Sequence, residues 1–273
     1  PGTSTTQSGK QSSHQENRQA FMTFGDKSWG SVKLGKDLGI FASDAILNDM
    51  TLLGVGAGAG QSGAATNTTL GGIGSGYIYA AWKGQIAYTT PNFNGFQATV
   101  AITNPNQQPN AVGNQDRFGL EGKASYEMKQ DGFSGKVWVS GIAQKIDFRG
   151  VLGAPEDTIA YGGDIGANIN AAGFGLTGYY YGGQGIGTTG QFLNGYSTTG
   201  KQRDSDGGYV QATYVLPTKT KVGISWGKSE LDQAGTDNVT TLVKENTMTT
   251  VGLYHPLTKH LNLVAEWSNV QSE

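Results

Sequence analysis

The chain has 273 residues, a net charge of −2, 36% hydrophobic residues, 44 glycines and no cysteine. Absence of cysteine excludes disulfides, thiolate metal sites and thiol catalysis. The near-neutral charge gives no basic field for nucleic acid, and no run of about 18 apolar residues is present to span a bilayer as a helix. A crossing by closed, alternating strands stays open.

Residues 1–19 are polar, lack a basic-then-apolar signal segment and read as a solvated loop. Strands are expected near 18–25 and 30–36, where Val32 and Leu34 oppose Ser31 and Lys33. A long connection, 36–76, leads to a strand at 77–90. Next comes 96–103, with Phe96, Ala98, Val100 and Ile102 opposite Gln97, Thr99, Ala101 and Thr103. The clearest case is 116–128. Phe118, Leu120, Ala124, Tyr126 and Met128 fall on one face, and Arg117, Glu121, Lys123, Ser125 and Glu127 on the other. A period of two places such sets on opposite sides of a sheet. Further strands are expected at 133–148, 158–170, 174–183, 208–216, 220–230, 246–255 and 260–270. Short connections rich in Gly, Pro, Asn or Asp alternate with long ones, the rhythm of an outer-membrane barrel.

Alternation alone does not say which face points inward. A soluble barrel hides its apolar face; a porin-like barrel turns it to lipid and lines a channel with the polar face. The polar faces here hold opposed charges with many Gly and Ser, as a hydrated lumen does. Twelve strands would enclose more space than this composition can fill with apolar side chains. Tyr88, Phe93, Phe96, Phe133, Phe174, Tyr254 and Trp267 lie near strand ends, as in an interfacial girdle. The expected fold is an all-β, antiparallel transmembrane β-barrel in which this chain, a single domain over 1–273, supplies about twelve strands.

Several segments resemble the Gram-negative general-diffusion porins. These are RQAFMTFG at 18–25, WGSVKLGK at 29–36, LGIFASDAILNDM at 38–50 and IAYTTPNFNGF at 86–96. Residues 104–273 match by strand rhythm. The resemblance implies a sixteen-stranded barrel of which the chain covers strands four to fifteen, lacking N-terminal strands and the last one. It implies a third loop, 36–76, folded into the pore as its constriction. It also implies a bacterial outer-membrane location, passive passage of small polar solutes and ions, contact with lipid and lipopolysaccharide, and a homotrimer. Residues 1–16 would hold the tail of the loop that reaches the neighbouring subunit.

In that family, acids on the third loop face bases on the wall. The resemblance assigns the constriction to Lys33, Lys36, Asp37, Asp44 and Asp49, with Lys36 at the wall position usually held by Arg or Lys and Asp44 the best match to a family acid. After position 50 the loop departs from the family's Pro-Glu-Phe-Gly-Gly-like stretch, which weakens the expected cross-pore field. Strand parity adds Lys83, Arg117, Glu121, Lys123, Glu127, Lys136, Asp164, Lys221 and Glu266 as lumen-facing charges.

No cofactor or metal is expected. The G-x-G-x-x-G matches at 58–63 and 185–190 lie in Gly-rich loops with no helix pattern after them. The G-x-x-x-x-G-K run at 195–201 lacks the following Ser or Thr. His14, His255 and His260 have no evident carboxylate partners for zinc or for hydrolysis. The sequons at Asn67 and Asn238 carry little weight in a bacterial protein. The 185–207 connection reads as an exposed mobile loop, with Lys201 and Arg203 as a second reading for lipopolysaccharide phosphates. Two other functions fit parts of the pattern. One is a substrate-selective channel using inward aromatics Trp138, Tyr179, Tyr181 and Tyr209; the other is a secreted or surface β-rich adhesion or structural protein.

Overall fold

The computed structural model describes residues 17–54, 70–106, 115–148, 153, 157–235 and 242–273. The segment 1–16, the glycine motif at 58–63, His14, Asn67 and Asn238 lie outside them. One sheet holds twelve strands in chain order: β1 Ala20–Asp26, β2 Gly30–Leu38, β3 Trp82–Thr89, β4 Phe96–Thr103, β5 Gly119–Gln130, β6 Phe133–Asp147, β7 Asp157–Ala171, β8 Phe174–Gln184, β9 Asp204–Val215, β10 Lys221–Leu231, β11 Glu245–Thr258 and β12 Leu261–Ser272. Each strand pairs antiparallel with the next. A helix α1, Ser43–Asn48, and a 3-10 turn, Met50–Leu53, interrupt the pattern between β2 and β3.

Two boundaries differ from the sequence reading by four residues or more. β3 starts at Trp82, not near 77, because Tyr77, Ile78 and Ala80 are buried inside the barrel and Ala81 takes a positive φ of 62° that breaks the strand. β9 starts at Asp204, four residues early. The third loop therefore runs over 39–81.

The short connections show why their residues suit hairpins. Phe93 and Phe96 exchange both backbone hydrogen bonds across Asn94 and Gly95, whose φ values are 53° and 101°. Both central residues of a type I′ turn need positive φ, which Asn and Gly supply cheaply. At the β7–β8 turn Gly173 (φ 84°) is preceded by Ala172 (φ 49°), a residue that resists this region.

Sidedness follows from exposure. Val100, Ile165 and Leu176 are each 58% exposed, Val210 57% and Trp267 61%. These residues share one face of the sheet, and none of the described residues covers it. Transferring each such side chain from water to lipid is worth about 1.5–3 kcal/mol, so this wall belongs in a bilayer. Phe24 with Trp29, and Phe174 with Tyr214, pack beside the short turns as girdle pairs. Tyr254 is an exception to the expected girdle: it is buried and points into the lumen, because its parity matches Gly252 and Thr250 on the inner face.

Inside, the third loop supplies the core that a hollow wall lacks. Phe41, Ala42, Ala45, Tyr77 and Ile78 pack against Trp138, Tyr179, Tyr181 and Tyr209 of the inner wall. The β8–β9 connection joins them through Ile186 and Phe192. It is clasped to the third loop by Tyr79 N–H donating to the Thr189 carbonyl (2.8 Å) and the Gln191 amide donating to the Ala80 carbonyl (3.1 Å). This connection is thus packed, not a free surface loop. Arg203 is buried, its guanidinium donating to the Asn194 carbonyl, which removes it from any lipopolysaccharide contact; Lys201 is exposed.

Candidate pore constriction

The third loop is fastened along the inner wall from β5 to β12. Glu121 on β5 is central. One of its carboxylate oxygens accepts the Ile40 and Phe41 backbone N–H groups (2.6 and 2.9 Å), and the other pairs with Lys83 of β3. Both charged side chains are almost fully buried. Removing one partner of such a pair leaves an uncompensated charge and typically costs about 3–5 kcal/mol. Farther along, Asp164 of β7 accepts Ala42 N–H (3.0 Å) and the Tyr179 hydroxyl (3.1 Å). Tyr209 donates to the Ala45 carbonyl (2.8 Å), and Gln211 accepts Met50 N–H (2.7 Å) while donating to the Asn48 carbonyl (2.9 Å). At the far end Gly54 passes over Glu266 of β12; a β-carbon at 54 would lie 2.0 Å from that carboxylate.

Asp44 occupies the first turn of α1 and faces two wall bases. Lys123 and Lys136 each place Nζ 2.6 Å from it, on different oxygens, and Lys136 also reaches Glu127 at 3.1 Å. Burial raises the Asp44 carboxyl, but the two ammonium groups outweigh it and hold the group below its ordinary value of 3.8. Asp49 behaves differently. It accepts from the Thr51 N–H and hydroxyl, the Gly72 N–H and the Tyr77 hydroxyl, all at 2.7–2.9 Å. It closes the loop upon itself and, among the described residues, faces no wall base at ion-pair distance.

The other predicted residues separate. Asp37 pairs with Lys33 and takes a hydrogen bond from Gln19, apart from α1. Lys36 pairs in register with Ala20 and Gly84 and shares the parity of Val32 and Leu34, the lipid side, opposite to Lys33 and Asp37. The motif match had grouped Lys36 with Lys33, against the two-residue period of the strand. Arg117 is exposed ahead of β5, outside this arrangement. Lys221 lies 4.9 Å from the centre of the Tyr254 ring, and Tyr254 donates to Glu266 at 2.5 Å. Trp138, Tyr179, Tyr181 and Tyr209 do face inward, but α1 and Tyr77 cover them, so they form no accessible aromatic track. His255 keeps its ring 2.9 Å from the Thr220 hydroxyl.

The missed anchors are uncharged. Gln211 and Gln144 tie loops to the wall and Gln191 ties loops to one another through carboxamide bonds, as where Asn106 and Gln144 exchange two (2.9 and 3.0 Å) and Asn106 donates to Gln191. Inward parity was the one signal available for Gln144 and Gln211.

The sequence profile described as Gram-negative porin matches residues 2–273. The chain belongs to the Gram-negative porin family. Members reside in the bacterial outer membrane and pass solutes by passive diffusion, and the fold of this porin agrees. It resembles the outer-membrane channel DcaP of Acinetobacter baumannii at a TM-score of 0.65 and 14% identity, covering 89% of this chain and 66% of that one. It resembles Salmonella typhi OmpF, solved with daunomycin, at 0.62 and 18%, covering 92% and 70%. A further porin structure matches at 0.54 and 12%, covering 92% and 75%. The porin thus spans about two thirds to three quarters of the length of these structures. No curated protein sequence matches it.

Proposed function

We propose that this porin passes small hydrophilic solutes and ions through a water-filled lumen, and that the third loop, the 39–81 connection between β2 and β3, narrows it. The observation that carries this reading is the Asp44 arrangement, an acid on an inward-folded loop held against two wall lysines inside an outwardly apolar wall. Size is limited by the loop, and the charges left in contact with water bias which ions pass. Lys33 with Asp37, Lys123 and Lys136 with Asp44, and Lys221 with Glu266 are the charged groups proposed to meet the solute. Lys83, Glu121, Asp49 and Asp164 act by positioning the loop. We assign the twelve strands to a sixteen-stranded wall on the resemblance to the general-diffusion porins; among the described residues they follow one another in chain order in one sheet. A homotrimer in contact with lipid and lipopolysaccharide, and the absence of enzymatic chemistry, follow from family membership as proposals. Covering of the inward aromatics argues against the substrate-selective alternative.

The test is single-channel recording of the full-length protein in a planar bilayer under a salt gradient. Stable steps in multiples of three are expected. A protein that stays folded without detergent and gives no steps removes the channel reading.

A further inference from the structure

The outer wall is not uniformly ridged. Between β4 and β8 it carries a groove of about 560 Å³ whose lining is almost wholly apolar. Its lining combines the small residues Ala124, Ala167 and Gly178 with Val137 and Val139 of the intervening strand, and its flanks are Tyr126, Ile165 and Tyr180. The register explains the hollow. Ala167 pairs with Gly178, and Ala124 lies level with Ala98, so on either side of Val137 and Val139 the outward side chains are short. A β-carbon added at Gly178 would meet nothing within 4 Å.

We propose that this groove holds one acyl chain of a phospholipid. The inference rests on the outer-membrane reading and goes beyond it. The groove is continuous with the exposed apolar band, so hydrocarbon is what surrounds it. Its lower end, at Phe96 and Tyr126, adjoins the short-turn end of the barrel, with Gly178 only four residues from the start of β8. Short turns of outer-membrane barrels face the periplasm, where the leaflet is phospholipid. A chain lying in a hollow contacts protein on three sides, while one on a convex ridge contacts it on one. Dispersion contacts then add up along its length, and this chain exchanges more slowly than its neighbours. The aromatic rings at the lower end sit at headgroup level, as interfacial aromatics do.

The experiment is native mass spectrometry of the full-length protein released from phosphatidylcholine nanodiscs, counting phospholipids retained per copy. One is expected for the natural sequence. Gly178→Phe fills the groove through open space and should reduce retention to background. Ile224→Phe, on the same outer face but outside the groove, should leave it unchanged. Conductance steps and resistance to unfolding in the same preparations report an intact barrel. Retention that is absent in the natural protein, or equal in Gly178→Phe, overturns the proposal. So does a fall in oligomer size confined to Gly178→Phe, which would make the groove a contact between copies. Failure of the channel reading would show separately, as loss of conductance with the natural sequence.

Discussion

At the scale of single residues, Asp44 is the acid whose neighbours matter most. It shares its two oxygens between Lys123 and Lys136. Asp44→Asn removes one negative charge and leaves both ammonium groups in place, so the reversal potential should move toward the anion side. Titration should act in the same sense. The folded carboxyl is held below 3.8, so its anchoring is complete above the ordinary carboxylate range and is lost only as pH falls through the lowered value. Channel noise should therefore stay flat from neutral pH to about 4 and rise below it, measured in the same recordings. Lys36→Ala should leave the reversal potential unmoved, because its parity faces lipid. Parity in the sequence located Lys83, Glu121, Lys123, Lys136 and Asp164 on the inner face. It could not show that most of them are occupied by the loop, because the partners lie far off: Lys123 is 79 positions from Asp44, and Glu121 is 81 from Ile40. Such pairings depend on the path of a loop whose own sequence has no strand period.

At the scale of elements, the loop and the turns are separable. Glu121→Gln should destabilise the protein by about 3–5 kcal/mol by stranding Lys83 without a countercharge, read as a lower urea midpoint in lipid vesicles. The β7–β8 turn offers the opposite sign. Ala172→Asn places a residue tolerant of positive φ where alanine has 49°, and should raise stability by about 1 kcal/mol, read as a higher midpoint. Alternation marked six of the twelve strands, and the rhythm of short and long connections placed the others; Gly, Pro, Asn and Asp marked the short connections. The start of β3 was not legible, since Tyr77 to Ala80 continue an aromatic and aliphatic run that reads as strand. They are buried instead by contact with Tyr209 and Phe192, residues more than a hundred positions away.

For the whole molecule, the apolar exterior makes the bilayer part of the fold. Val210→Lys places a charge on the lipid side and should cost about 2–4 kcal/mol near the midplane; Ser225→Lys, on the lumen side of the adjoining strand, should cost less. The fastening of the loop has a consequence in time. Met50 meets Gln211 across 161 positions and Ala45 meets Tyr209 across 164, while each hairpin closes locally. Contacts between distant positions form late, because a long stretch of chain must first be confined. The wall should therefore curve before its constriction docks, and insertion into vesicles should begin as a wide leak that contracts as the loop settles against β5 through β12.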